Sequence, residues 1–203
     1  MFRALILTLG AAVGLAGTAY AEATYTRGSV IPADIKMTDQ TGKEHTFAEF
    51  RGKPVVLEWT NYGCPFVRKF YDAGAMQKQQ AETVAKGVVW LSVISSAEGK
   101  EGYLAPKEAA AAVAKQGFKG TAVMLDPTGS LGKAFGATNT PTMAVLDETG
   151  KLQYFGAIDS IPSFNAADIG GATNYVAAAV EEILAGKPVT VAQTKPYGCS
   201  VKY

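Results

Sequence analysis

Cys64 and Cys199 are the only cysteines in this chain of 203 residues, and Cys64 stands where a thiol is best placed to react. It follows the apolar run Val55-Val56-Leu57-Glu58-Trp59 and the loop Asn61-Tyr62-Gly63, and it immediately precedes Pro65. Proline favours the first position of a helix, so Cys64 falls at or beside the N-cap of a helix that runs on through Tyr71. Unsatisfied amides and the positive end of the helix dipole at that point favour the thiolate, which is the nucleophilic form. Arg68 and Lys69, one turn along, are expected to add positive potential. The competing reading is an inert packed cysteine, because cysteine is among the most buried residue types. The position and the preceding loop favour the reactive reading, with Cys64 accessible to solvent.

Cys199 lies 135 positions later, beside Gly198 near the end of the chain. With only two thiols in the chain, a Cys64–Cys199 pairing is the economical expectation wherever disulfides persist. As a structural bond it would close a long loop and stabilise by roughly 5 kcal/mol on the chain-entropy model. As a resolving partner it would attack a mixed disulfide or sulfenate formed on Cys64. Glu58 is a charged residue inside an otherwise apolar strand, a costly placement if it is buried unpaired. Either it is a buried acid with a raised pKa, or it points to solvent and pairs with a lysine such as Lys53. His45, among Lys43, Glu44 and Thr46, reads as a solvated loop histidine.

These residues need a scaffold, and alternating segments supply one. Val55–Trp59 reads as a strand and Ala75–Lys86 as a helix stopped by Gly87. Val88–Ile94 is a nearly continuous apolar strand of the kind buried on both faces. Pro106 opens a helix through Lys115, Thr121–Leu125 makes another strand, and Ser130 is expected to cap a short helix to Phe135. Met143–Leu146 and Lys151–Ala157 flank a polar turn, so they form an antiparallel hairpin. Asn174–Leu184 is an amphipathic helix stopped by Gly186, and a tail from Val189 carries Tyr197-Gly198-Cys199. The order predicts a mixed α/β sandwich.

Composition narrows the function. Hydrophobic residues make up 48% and charged residues 18% of the chain, enough for a sizeable core. The 19 basic and 18 acidic residues nearly cancel, which argues against nucleic acid or anionic membrane as a general electrostatic partner. Two cysteines and a single histidine are too few for a usual four-ligand zinc site or an iron-sulfur cluster, so no metal or other cofactor is expected. Residues 1–21 read as a signal peptide: Arg3, an apolar run from Ala4 to Thr18, then Ala19-Tyr20-Ala21. Residues 22–203 would then be the mature protein, free of the membrane after cleavage and periplasmic if the source is a Gram-negative bacterium.

The stretch Gly52 to Val67, together with Thr140-Pro141-Thr142 downstream, resembles the thioredoxin superfamily, in its secreted redoxin (AhpC/TSA, peroxiredoxin-like) branch. The segment from Ile31-Pro32-Ala33-Asp34 to Lys43 is similar to the hairpin that such redoxins place before the core. The resemblance covers most of residues 32–185 and implies a thioredoxin-like mixed-sheet sandwich with helices on both faces and an N-terminal hairpin extension. Cys64 matches the first cysteine of C-x-x-C, while Val67 stands where the second would be, so a dithiol cycle within one turn is impossible. Asn61 stands where peroxiredoxins carry threonine, which leaves thiol-dependent peroxidase activity as an alternative. The ending Gly198-Cys199-Ser200-Val201-Lys202 resembles a peroxiredoxin-like subgroup.

The resemblance also implies that Thr140-Pro141 is a cis-proline turn beside the sulfur, although an X-Pro bond is otherwise expected to be trans. Thr140 would there pair with the backbone of an extended substrate. Glu58 falls where thioredoxins keep a buried acid that moves protons during exchange. The expectation is therefore an exported thiol-disulfide oxidoreductase with Cys64 as nucleophile, Cys199 as resolving partner, Glu58 assisting proton movement, and Thr140 with Pro141 binding substrate. Its partners would be protein or small-molecule thiols and disulfides, with a thiol electron donor or acceptor. A non-enzymatic binding module clamped by a permanent disulfide is the remaining alternative.

Overall fold

A computed structural model of the chain describes residues 24–203, so the expected signal peptide lies outside the described residues. The first elements among the described residues are an antiparallel hairpin, β1 (Lys36–Asp39) and β2 (Glu44–Thr46), followed by a 3-10 turn at Phe47–Phe50. The first βαβ passage comprises β3 (Val55–Trp59), α1 (Pro65–Asp72), α2 (Ala75–Ala85) and β4 (Val89–Ile94). After it come α3 (Pro106–Lys115), β5 (Ala122–Leu125), α4 (Ser130–Phe135) and the short β6 (Asn139–Thr140). The chain closes with β7 (Thr142–Leu146), β8 (Leu152–Gly156), α5 (Tyr175–Leu184) and β9 (Cys199–Ser200).

Seven strands form one sheet in the order β2-β1-β5-β4-β3-β7-β8. β3, β4 and β5 run parallel, as the crossovers through helices require, and β7 with β8 is antiparallel. β3 and β4 sit at the middle with every residue buried, which is why their sequences are apolar almost without interruption. Alternation along β3 divides the core. Val55, Leu57 and Trp59 face a layer that includes Phe47, Leu131 and Phe135, while Val56 faces Val67, Phe70, Met76 and Val176 from α1, α2 and α5. The fold is thioredoxin-like, with helices on both faces and the N-terminal hairpin in place.

The expected strands and helices appear within a residue or two of their predicted ends. Three local expectations change. Gly129, in the left-handed conformation, and not Ser130, precedes α4. The buried Asp126 carboxylate accepts the Gly132 and Leu131 amides at 2.9 and 3.3 Å, meeting the need for which a serine cap was expected. His45 is buried, with its ring nitrogens each 3.0 Å from Asp39 Oδ2 and Glu49 Oε2. It holds the hairpin to the 3-10 turn, and the two carboxylates satisfy it in place of water. Lys69, expected to lend positive potential to Cys64, is instead buried and lies 3.3 Å from Asp159 Oδ2.

Candidate active site around Cys64

β3 delivers the chain to the Asn61-Tyr62-Gly63 loop, which turns sharply because Asn61 accepts twice. Its side-chain oxygen takes the Gly63 amide at 2.8 Å, and its carbonyl takes the Cys64 amide at 2.9 Å. Cys64 is the N-cap of α1 in an extended conformation, with Pro65 at the first helical position. Its carbonyl accepts the Val67 and Arg68 amides at 3.0 and 2.9 Å, closing the first turn. The sulfur is thus held at a helix N-terminus, as the sequence predicts.

Two other segments meet it. The Thr140–Pro141 bond is cis, and the Thr140 carbonyl lies 3.2 Å from Cys64 Sγ. The tail returns across the same place: β9 pairs antiparallel with β6, with Thr140 opposite Cys199 and Asn139 opposite Ser200. Cys199 Sγ lies 2.7 Å from Cys64 Sγ, and neither thiol is bonded. The two sulfurs are therefore neighbours at the N-terminus of α1.

The tail also covers the site. Cys64 has 0% of its surface exposed and Cys199 is only partly exposed. Cys64 therefore has no solvent-facing surface in this state, contrary to the accessible thiol expected from sequence. The physical reason is strand pairing: the β6 edge, left open by the core fold, is filled by β9.

The two thiols differ in acidity. Burial works against ionisation of Cys64, but hydrogen bonds from the Cys199 thiol and amide and from the Val67 amide hold it below its ordinary value. Cys199 is pushed up to about 12, first by burial, then by its hydrogen bond to the Cys64 sulfur and by the negative charge of Cys64 and Glu101. Cys64 is thus the more acidic of the two thiols.

Glu58 is fully buried, which removes the pairing with Lys53. It accepts from Ser92 Oγ at 2.6 Å, Trp90 Nε1 at 3.0 Å, Gln80 Nε2 at 3.2 Å and the Tyr71 hydroxyl at 3.0 Å. Burial raises its pKa against these four donors. Among the described residues no hydrogen bond joins Glu58 to either sulfur. The nearest route is through rings: Tyr71 packs edge-on to Tyr62, two residues before Cys64, at 5.3 Å between centroids.

Contacts from several elements hold the tail, among them the Ala97 amide, which donates to the Lys202 carbonyl at 2.7 Å. Asn139 Nδ2 donates to the Gly198 carbonyl at 2.9 Å. The Tyr197 hydroxyl donates to Asp159 Oδ1, whose other oxygen faces Lys69. Tyr203 donates to the Ala137 carbonyl at 2.5 Å. The aromatic residues flanking Gly198-Cys199 are the one signal that could have pointed to an anchored tail.

The Redoxin family model matches residues 26–172, well over half of the chain. The chain belongs to the Redoxin family. It is similar to the crystal structure of a hypothetical protein from Sinorhizobium meliloti 1021, at 25% identity and a TM-score of 0.73, over 88% of this chain and 95% of that one. An uncharacterized conserved protein from Geobacillus kaustophilus matches at 22% identity and a TM-score of 0.72, over 88% and 92%. The exposed lipoprotein thioredoxin of Streptococcus pneumoniae strain TIGR4 shares 22% identity over 66% of this chain and 95% of that one, at a TM-score of 0.51. These likenesses agree with the thioredoxin-like fold of this redoxin. No curated protein matches the chain in sequence. Among the described residues no three His, Cys, Asp or Glu side chains gather as a metal site, and no helix is long and apolar enough to cross a membrane.

Proposed function

We propose that this redoxin is an exported thiol-disulfide oxidoreductase in which Cys64 is the nucleophile and Cys199 resolves. Redoxin membership supports thiol-disulfide chemistry in general, with thiols or disulfides as substrates. The observation that carries the specific reading is the pair of sulfurs 2.7 Å apart at a helix N-terminus, with acidities split in opposite directions.

In the forward direction the tail lifts, and the Cys64 thiolate attacks one sulfur of a substrate disulfide. The S–S bond breaks, the other substrate sulfur leaves as thiolate and takes up a proton, and a mixed disulfide remains on Cys64. Cys199 loses its proton to solvent or a nearby base and attacks the Cys64 sulfur. The second substrate thiolate departs, and a Cys64–Cys199 disulfide is left. The substrate is reduced by two electrons and the protein oxidised by two; an outside thiol donor resets the pair. Thr140 and Pro141 hold the substrate backbone beside the sulfur. Glu58 serves as a positioning residue, because it touches neither sulfur and acts through Tyr71 and the packing of α1. Export rests on the reading of residues 1–21.

Cys64→Ser should abolish exchange with a disulfide substrate while leaving the fold intact; unchanged exchange rates overturn the assignment. Cys199→Ser should accumulate mixed disulfides on Cys64, detectable as mass adducts, and an absence of adducts removes the resolving role. One observation favours a second reading, that of a permanent clamp: Cys64 has no exposed surface. The redox potential of the pair separates the two.

A further inference from the structure

The tail crosses Cys64 as a peptide would. Cys199 and Ser200 form a short strand paired with Thr140 and Asn139, and the Val201 amide adds a backbone bond to the Thr138 carbonyl at 2.9 Å. Nothing in the sheet requires this strand, because β6 and β9 form a separate two-stranded pair outside the seven-stranded sheet.

The fit is selective at one residue. Gly198 has φ of +112°, and a Cβ placed there would meet the Thr140 carbonyl oxygen at 2.1 Å. That obstacle is backbone, fixed between α4 and β7, so it cannot swing aside as a flexible side chain does. A chain that follows the tail's path on this edge, with its cysteine at Cys64, has room only for glycine just before that cysteine. One residue further back, the Tyr197 ring packs edge-on to Phe66 at 5.8 Å and its hydroxyl reaches the buried Asp159 carboxylate. On the other side Ser200 is exposed, so the position directly after the cysteine does not select a side chain.

The tail is also held at its two ends, beyond the β6 pairing and the Ala97 amide's bond to the Lys202 carbonyl at 2.7 Å. Tyr197 engages Asp159, which is neutralised by buried Lys69. At the far end Tyr203 donates to Ala137, lies under Lys133 at 5.1 Å, and sits so close to Gly132 that a Cβ there would meet its hydroxyl at 2.4 Å. A segment anchored at both ends and paired in the middle is a tethered occupant of a binding edge.

We propose that the edge formed by Asn139 and Thr140 is a docking site for an extended polypeptide presenting an aromatic-Gly-Cys step, and that residues 197–203 are its built-in competitor. This rests on the reading of Thr140 as a backbone-pairing edge, but not on sulfur chemistry. The substrate class is then a flexible protein segment with glycine before its cysteine, rather than a small disulfide.

The test measures binding alone, in excess phosphine reductant so that no disulfide contributes. The probe is a fluorescein-labelled peptide, Lys-Pro-Tyr-Gly-Cys-Ser-Val-Lys-Tyr, read by anisotropy against the full chain. Gly198→Ala should expel the tail and raise peptide affinity by about tenfold or more over the unaltered chain. Alanine in place of the peptide's glycine should weaken binding by about tenfold or more. Tyr203→Ala loosens the tail from its far end without altering the edge, and should raise peptide affinity as well if Gly198→Ala fails to fold. Equal affinity of the unaltered and loosened chains, equal affinity of glycine and alanine peptides, or no saturable binding overturns the proposal. Saturable binding with no exchange activity would keep this site and discard the oxidoreductase reading.

Discussion

At the scale of single residues, the acidity split between Cys64 and Cys199 gives each sulfur its role, and Glu58 supplies a second measurable consequence. Its folded pKa is raised by burial above the ordinary 4.5. A raised pKa means that the native state binds the proton more tightly, so the associated stability is fully present below about 4.5 and is lost as pH rises through the folded value. Glu58→Gln, which stays neutral, should therefore gain on the unaltered chain as pH climbs from about 4.5, with the difference levelling off above the raised pKa. Urea unfolding of both proteins at a series of pH values checks this, and a pH-independent difference contradicts it. Glu58→Leu should cost several kcal/mol at any pH, because donors on Ser92, Trp90, Gln80 and Tyr71 lose their acceptor at roughly 1–3 kcal/mol for each group left unsatisfied.

Among the elements, two polar side-chain clusters fix segments that local propensity leaves loose. His45 bridges Asp39 and Glu49, and so ties β1, β2 and the 3-10 turn together. Burial opposes ionisation of Asp39, but hydrogen bonds from Thr41, His45 and the Lys43 amide bring its pKa down to about 2. A depressed carboxylate contributes stability that is present above its unfolded value, near 3.8, and is lost as pH falls toward 2. His45→Ala should raise the Asp39 pKa, followed by carboxyl NMR, and should move this acid loss to higher pH; an unchanged Asp39 titration contradicts the bridge. Lys69 and Asp159 hold α1 against the segment after β8 and anchor Tyr197. Lys69→Met leaves Asp159 buried without a counter-charge and should cost roughly 3–5 kcal/mol, much of it restored by adding Asp159→Asn. Thermal or urea unfolding of the two variants measures it.

Across the whole molecule, the elements legible in the sequence are those whose signal is local. Val55–Trp59 and Val88–Ile94 announce buried parallel strands through apolar runs each interrupted once, by Glu58 and by Ser92, and Pro65 after Cys64 marks the helix that sets up the thiol. The cis turn at Thr140-Pro141 became readable only through the family resemblance, because most X-Pro bonds are trans. Where the chain goes over long distances was not legible. Lys69 and Asp159 are 90 positions apart, and nothing in either neighbourhood indicates that one buries the other. His45 sits in a polar hairpin yet is buried against two carboxylates, and hydropathy cannot separate a polar side chain that is paired from one that is solvated. The burial of Cys64 is the same problem on a larger scale: the strand that covers it comes from the far end of the chain.

That tail makes the whole account testable through one quantity, the reduction potential of the Cys64–Cys199 pair equilibrated against dithiothreitol and glutathione buffers. A pair that works in exchange must be reducible by a partner thiol, so its potential should lie above about -300 mV and the titration should be reversible. A value well below that level, or a bond that opens only on unfolding, would make the two sulfurs a structural clamp and contradict the assignment of Cys64 as a nucleophile.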